Sequence, residues 1–137
     1  MRAAALVIAV ALGLAAAPSA ARARCLHYEP AQVNLEGTLT SKRFPGPPNY
    51  VSIARGDHPE SVLILTLDKP ACVSADPESR TNSRSHAGIT EVQLAVDGQS
   101  HRTLVGRRVR ATGSLTARSS RHHRTPVVLT VKAMRGI

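Results

Sequence analysis

Five short apolar runs, each set off by segments rich in proline, glycine and serine, constrain this 137-residue chain more than any other feature. Val33 to Leu39 alternates apolar and polar residues, the period of a half-buried strand. Val62 to Leu67, "VLILTL", is continuous and suits a strand covered on both faces. Ile89 to Val96, "ITEVQLAV", reads as a third strand, turned by Asp97-Gly98. Arg107 to Ala117 alternates through Val109, Ala111, Gly113 and Leu115, and Val127 to Met134, "VVLTVKAM", is the fifth. Gln99 to Val105 has the length of a helical turn or two. The stretches Ser41 to Glu60 and Pro70 to Gly88 read as irregular, because their prolines and glycines interrupt any period. The prediction is an all-β domain over residues 24–137: a small five-stranded OB-like Greek-key barrel with one short helix between strands three and four. A small β-sandwich is the competing arrangement. Gly37 and Gly113 favour the barrel, since they fall inside strands one and four, where a small barrel bends sharply.

The chain opens MRAAALVIAVALGLAAAPSAARARC. Arg2 supplies a positive start, Ala3 to Ala17 is apolar but too short to span a bilayer, and small-residue cleavage sites end at Ala20 and Ala23. Residues 1–23 are therefore expected to be a signal peptide, and the protein to be exported, periplasmic or secreted, with no membrane span after cleavage. An uncleaved anchor is the alternative. Cys25 follows Arg24 rather than the small residue that lipid attachment requires. Cys25 and Cys72 are expected to form a disulfide, which export permits. Pairing strands one and two antiparallel places a residue before the first near a residue after the second. Closing this loop is worth roughly 4 kcal/mol in the chain-entropy picture. Two free thiols are the alternative, and neither cysteine sits in a CxxC or zinc pattern.

The net charge of +9 includes Arg2 and Arg22 and is +7 without them. A basic exported protein meets anionic envelope polymers, lipids or acidic proteins before it meets chromosomal nucleic acid. An arginine-rich genome gives the same composition with no partner implied. With Tyr28, Phe44 and Tyr50 as its aromatic residues and no tryptophan, the chain lacks the stacking platforms of a nucleic-acid binder, so no nucleic acid is expected.

In an OB-like barrel the loop between strands one and two and the loop between strands four and five border one face. Here these are "RFPGPPNYVSIARGDHPE" and "SSRHHRTPVV", residues 43–60 and 119–128. The reading is a non-catalytic binding module using loops 42–60 and 118–126. Its candidate site residues are Arg43, Tyr50, Asp57, His58, Arg121, His122, His123 and Arg124. Arginine forks match phosphate or carboxylate in pairs, and Arg43, Arg55, Arg118, Arg121 and Arg124 gather at the expected mouth. A solvated loop whose charges face water is the plainer alternative. Neighbouring arginines are expected to keep His122 and His123 neutral. Tyr50, stiffened by Pro45, Pro47 and Pro48, is either a recognition surface or a plug beneath its loop.

No cofactor is expected. The rival class is a metal-binding protein or divalent-metal-dependent enzyme using His58, His122 and His123. No histidine pair has a helical or HxH ligand spacing, however, and the arginines oppose a cation. Ser119 or Ser120 with His122 is a weak catalytic signal without an elbow motif or a placed orienting acid. Asp57 and Glu60 are expected to make turns or to pair with Arg55. A third class is a structural envelope factor that meets its partner by strand addition to an exposed edge.

"CLHYEP", "EGTL", "FPGPPNY", "GDHPE", "LDKPACV", "GRRVRATGSL" and "HHRTPVVLTV" together resemble the motifs of an uncharacterised bacterial exported family, domain of unknown function 4431. The resemblance runs from Cys25 to Val131. It implies export and a compact β-domain, and it supplies no activity. This chain departs from the family pattern at Arg121, where glycine is usual, and at Arg124, where a third histidine is usual.

Overall fold

The computed structural model describes residues 24–98 and 100–137, so the expected signal peptide lies outside the described residues. Six strands are formed: β1 (Leu26–His27), β2 (Val33–Pro45), β3 (Pro59–Ser74), β4 (His86–Ala95), β5 (Arg108–Ala117) and β6 (Val127–Gly136). β2 pairs antiparallel with β3 and β5, β3 with β4, and β5 with β6. β4 and β6 run parallel and close the ring. The result is a closed five-stranded OB-like barrel with β1 added at its edge, and the β-sandwich alternative is set aside. A 3-10 turn at Ser100–Leu104 stands where the short helix was expected, and a second spans Ile53–Arg55. Among the described residues no helix is long and apolar enough to cross a membrane.

Alternation sets which face each strand buries. Val33, Leu35 and Leu39 of β2 meet Val109, Ala111 and Leu115 of β5 inside the barrel, with Leu65 of β3, Val92 and Leu94 of β4, and Leu129 of β6. The run "VLILTL" is covered on both faces at Ile64 and Leu65, which are both buried, whereas Thr66 is exposed. The interior is almost wholly aliphatic. Tyr28 is its one aromatic contributor, and its hydroxyl donates to the Arg84 carbonyl at 2.8 Å. Burial raises the Tyr28 phenol above its ordinary value.

Two irregular stretches are shorter than their sequence suggests. β2 and β3 remain paired from Gly37↔Leu67 to Pro45↔Pro59, so the irregular loop is residues 46–58 rather than Ser41 to Glu60. Proline is tolerated there because both prolines sit at the end of the ladder, where a missing N–H removes no interior bond. β3 likewise continues through Pro70 to Ser74, and the register shifts on either side of Ala71 absorb the interruption. Cys25 and Cys72 form a disulfide beside the parallel pair Leu26↔Val73, fastening β1 to the end of β3.

Gly37 and Gly113 show how the barrel coils. A Cβ on Gly37 would lie 2.1 Å from the Thr66 carbonyl oxygen, and one on Gly113 would lie 1.9 Å from that of Thr130. Neither distance is possible, so the neighbouring backbone occupies the space a side chain would need. Gly113 also sits at the register shift between β5 and β6. Gly113→Ala should therefore destabilise the protein by about 1–3 kcal/mol or more, read by chemical denaturation. Gly136→Ala, whose Cβ would meet only the flexible Arg107 side chain, should change stability by less than about 0.5 kcal/mol.

Candidate functional site

Loop 46–58 is organised around one carboxylate. Asp57 is buried and accepts backbone N–H bonds from Asn49 at 2.9 Å, Val51 at 2.8 Å and Ser52 at 2.9 Å. The Ser52 and Val51 amides hold its carboxyl below the ordinary carboxylate range, against the opposing effect of desolvation. Asp57 therefore builds the loop rather than pairing with Arg55. Tyr50, inside the ring it forms, has φ 59°, a left-handed conformation that costs a bulky residue about 1–3 kcal/mol. The same loop leaves Val51 70% exposed.

Loop 118–126 is fixed by Gln93 of β4. The buried Gln93 side chain donates to the His122 carbonyl at 3.1 Å and accepts the Arg124 N–H at 2.6 Å. Its backbone N–H donates to the Thr125 hydroxyl at 2.9 Å. The two loops then meet through Glu60, the second residue of β3. One Glu60 oxygen faces His122 Nδ1 at 2.5 Å, and the other accepts from Arg124 at 2.7 Å. Burial disfavours the Glu60 charge and is the largest single influence. The hydrogen bonds and charges of His122 and Arg124 outweigh it, and the carboxyl sits below its ordinary value. With Glu60 ionised, Nδ1 of His122 carries a proton. Its Nε2 then faces the Tyr50 hydroxyl at 3.3 Å, with the two rings edge to face.

Arginines complete the mouth. Arg124 is only 12% exposed, bonds the Pro45 carbonyl at 2.9 Å, and lies over the rings of Phe44 and Tyr50 at 5.1 and 5.6 Å. Arg121 lies over the outer part of this assembly, 5.8 Å from the Tyr50 centroid, and is exposed. Such exposed cation–π contacts contribute about 0.5–1 kcal/mol each.

The structure thus brings Tyr50, Arg121, His122 and Arg124 together and gives Asp57 the role of loop organiser. It does not bring the whole predicted set to one point. Arg43 is exposed on β2 opposite Ser61. His58 is exposed, and its backbone bonds Gly46 and Pro47. His123 turns back, with Nδ1 accepting the Ser119 N–H at 3.0 Å. Arg118 lines a separate cleft with Arg80 and Arg84. Among the described residues no three His, Cys, Asp or Glu side chains are grouped to hold a metal ion. Sequence reasoning missed Phe44 and Gln93 and gave Glu60 the wrong partner. The orienting acid for His122, absent from its own loop, comes across from β3. Gln93 did leave a signal, as an amide between the apolar Val92 and Leu94.

Residues 91–135 match the family model described as Domain of unknown function (DUF4431). No curated protein and no solved structure matches the chain. The resemblance seen in the sequence therefore stands over residues 91–135, from the second half of β4 into β6, including Gln93 and loop 118–126. The motif "FPGPPNY" lies outside the matched residues.

Asp57 gives the loop a defined acid limit. Because its folded-state carboxyl is lowered, its contribution is full above the ordinary carboxylate range and is lost as pH falls through the lowered value. In an NMR acid titration the Asn49, Val51 and Ser52 amides should move together, at a pH below the ordinary carboxylate range. Movement within the ordinary carboxylate range would refute the capping role.

Proposed function

We propose that this protein is an exported, non-catalytic binding module that recognises an anionic small molecule, polymer or envelope protein through loops 42–60 and 118–126. A leader-like N-terminus, a disulfide of the kind that persists in oxidising compartments and a net charge of +9 support the setting. The observation that carries the site is Arg121. Its guanidinium is exposed at the rim, over Tyr50, and has no carboxylate partner among the described residues. Arg124, by contrast, is neutralised by Glu60 and serves to hold the aromatic floor. Tyr50, the His122 edge and Arg121 then form a rigid surface with one uncompensated charge. A preformed surface binds without the cost of ordering its side chains.

The metal reading, through His58, His122 and His123, has no such observation behind it. Both nitrogens of His122 face protein partners, and Nδ1 of His123 faces Ser119.

Heparin serves as a polyanion probe for this mouth. Its affinity should fall with added salt, as expected for exposed charges. Arg121→Glu should weaken it about tenfold, the equivalent of one charge-assisted hydrogen bond. It should also flatten the salt dependence. Unchanged heparin affinity in Arg121→Glu would remove this surface from consideration.

A further inference from the structure

Loop 118–126 has a second side, and it is strongly basic. Between it and segment 75–85 lies an open cleft of about 730 Å³ lined by Arg80, Ser83, Arg84, His86, Arg118 and Arg124, with no acidic residue in its wall. The side chains of Arg80, Arg84 and Arg118 have no carboxylate partner among the described residues. The carboxylates that do form ion pairs lie elsewhere: Glu36 with Arg108 and Arg110, Asp68 with Arg108, Glu91 with Lys42, and Glu60 with Arg124. Asp76 and Glu78 belong to the same segment as Arg80 and Arg84, yet neither lines the cleft.

The cleft is built, not incidental. Asn82 is 3% exposed, and its side-chain oxygen accepts the Ala117 N–H at 2.9 Å, pinning segment 75–85 to the end of β5. The Asn82 N–H donates to the Ser79 hydroxyl, and its carbonyl accepts the Asp76 N–H. Ser85 accepts the Ala75 N–H, and the Tyr28 hydroxyl bonds the carbonyl of Arg84 itself. On the opposite wall, Arg118 donates its N–H to the Pro126 carbonyl and closes its loop. Arg124, held from behind by Glu60 and the Pro45 carbonyl, completes that wall. A buried polar side chain thus holds like charges around one cavity. That arrangement repels itself until an anion enters it.

We propose that this cleft is an anion site separate from the Tyr50 mouth, and that its ligand is a phosphate-bearing group held by the guanidinium forks of Arg80, Arg84 and Arg118. Phosphate oxygens accept paired N–H donors from several arginines at once, whereas a single carboxylate satisfies one fork. The ligand chemistry is shared by phospholipid headgroups and by free or polymeric phosphates.

Tripolyphosphate is titrated into the oxidised protein, followed by NMR of the Asn82, Arg84 and Arg118 amides and by thermal unfolding. Saturable shifts confined to these positions, with a raised unfolding midpoint, are the expected result. Citrate should bind more weakly, and equal citrate affinity overturns the phosphate assignment. The exposed pair Arg84→Gln/Arg118→Gln should lose about tenfold or more in affinity. If that pair alters the unliganded spectrum, Arg80→Gln takes its place. Arg121→Glu, outside the cleft lining, should leave the tripolyphosphate shifts of the Asn82, Arg84 and Arg118 amides intact. Binding that survives the cleft variants and is lost in Arg121→Glu would move phosphate to the Tyr50 mouth and overturn this proposal while leaving the previous one standing. Absence of saturable binding overturns it outright. Co-sedimentation with phosphatidylglycerol vesicles, lost in the cleft variants, assigns the headgroup as source. Tripolyphosphate binding without vesicle binding assigns a free phosphate.

Discussion

The barrel closes along its shortest seam. β4 and β6 run parallel for three residue pairs, Gln93↔Val128, Leu94↔Leu129 and Ala95↔Thr130, and loop 118–126 hangs from the first. Gln93 is buried, so its amide must find partners within the protein. It finds them in the backbone of His122 and Arg124, while Thr125 accepts its N–H and donates to the Val127 carbonyl at the start of β6. Closure of the sheet and placement of loop 118–126 are thus one hydrogen-bonded unit. A residue that merely filled the space would close the barrel and leave the loop free to choose its conformation.

Two carboxylates extend that unit to the opposite loop by different means. Asp57 gathers three backbone amides and so fixes the shape of residues 49–57 without touching another side-chain charge. Glu60 acts between loops, and its two oxygens hold the neighbouring ring and guanidinium of His122 and Arg124 apart in direction but together in place. Arg124 is then held by a carboxylate, a carbonyl and two aromatic faces. Of the arginines assembled by sequence at this mouth, the most buried one is structural. Of the exposed ones, Arg121 lies over the Tyr50 ring and Arg118 lines the separate cleft, and neither has a carboxylate partner among the described residues.

The strands were legible because alternation reports burial directly, and the glycines were legible because a coiled strand cannot carry a side chain where another backbone passes. Gly113 against Thr130 is that case. Strand ends were not. Arg43, Phe44 and Pro45 carry no apolar period, yet the antiparallel ladder continues through them because backbone pairing with Ser61, Glu60 and Pro59 needs none. β1 holds two residues and has no pattern to find; the neighbouring Cys25–Cys72 bond marks its place. At the site, chemistry was legible and geometry was not. His122 and His123 are one residue apart, but which of them meets the other loop depends on the turn at residues 121–122 and on Glu60, 62 positions before His122.

One loop with two faces parts two adjacent histidines set among Arg118, Arg121 and Arg124, and among the described residues they join no metal-holding group. His122 is drawn to Glu60 and Tyr50, and His123 is folded back to Ser119, so neither keeps a lone pair directed at a common point. The arginines divide in the same way, with Arg121 toward the Tyr50 rim and Arg118 toward Arg80 and Arg84. Divergence of successive side chains is what a tight turn imposes, and here it parts one basic segment between two surfaces. Arg124 stands at the partition: its guanidinium is neutralised on the Tyr50 side, and its side chain forms part of the wall on the other. Neutralising that one central charge lets two positively charged surfaces lie back to back on a loop of nine residues without the repulsion that a fully charged partition would create.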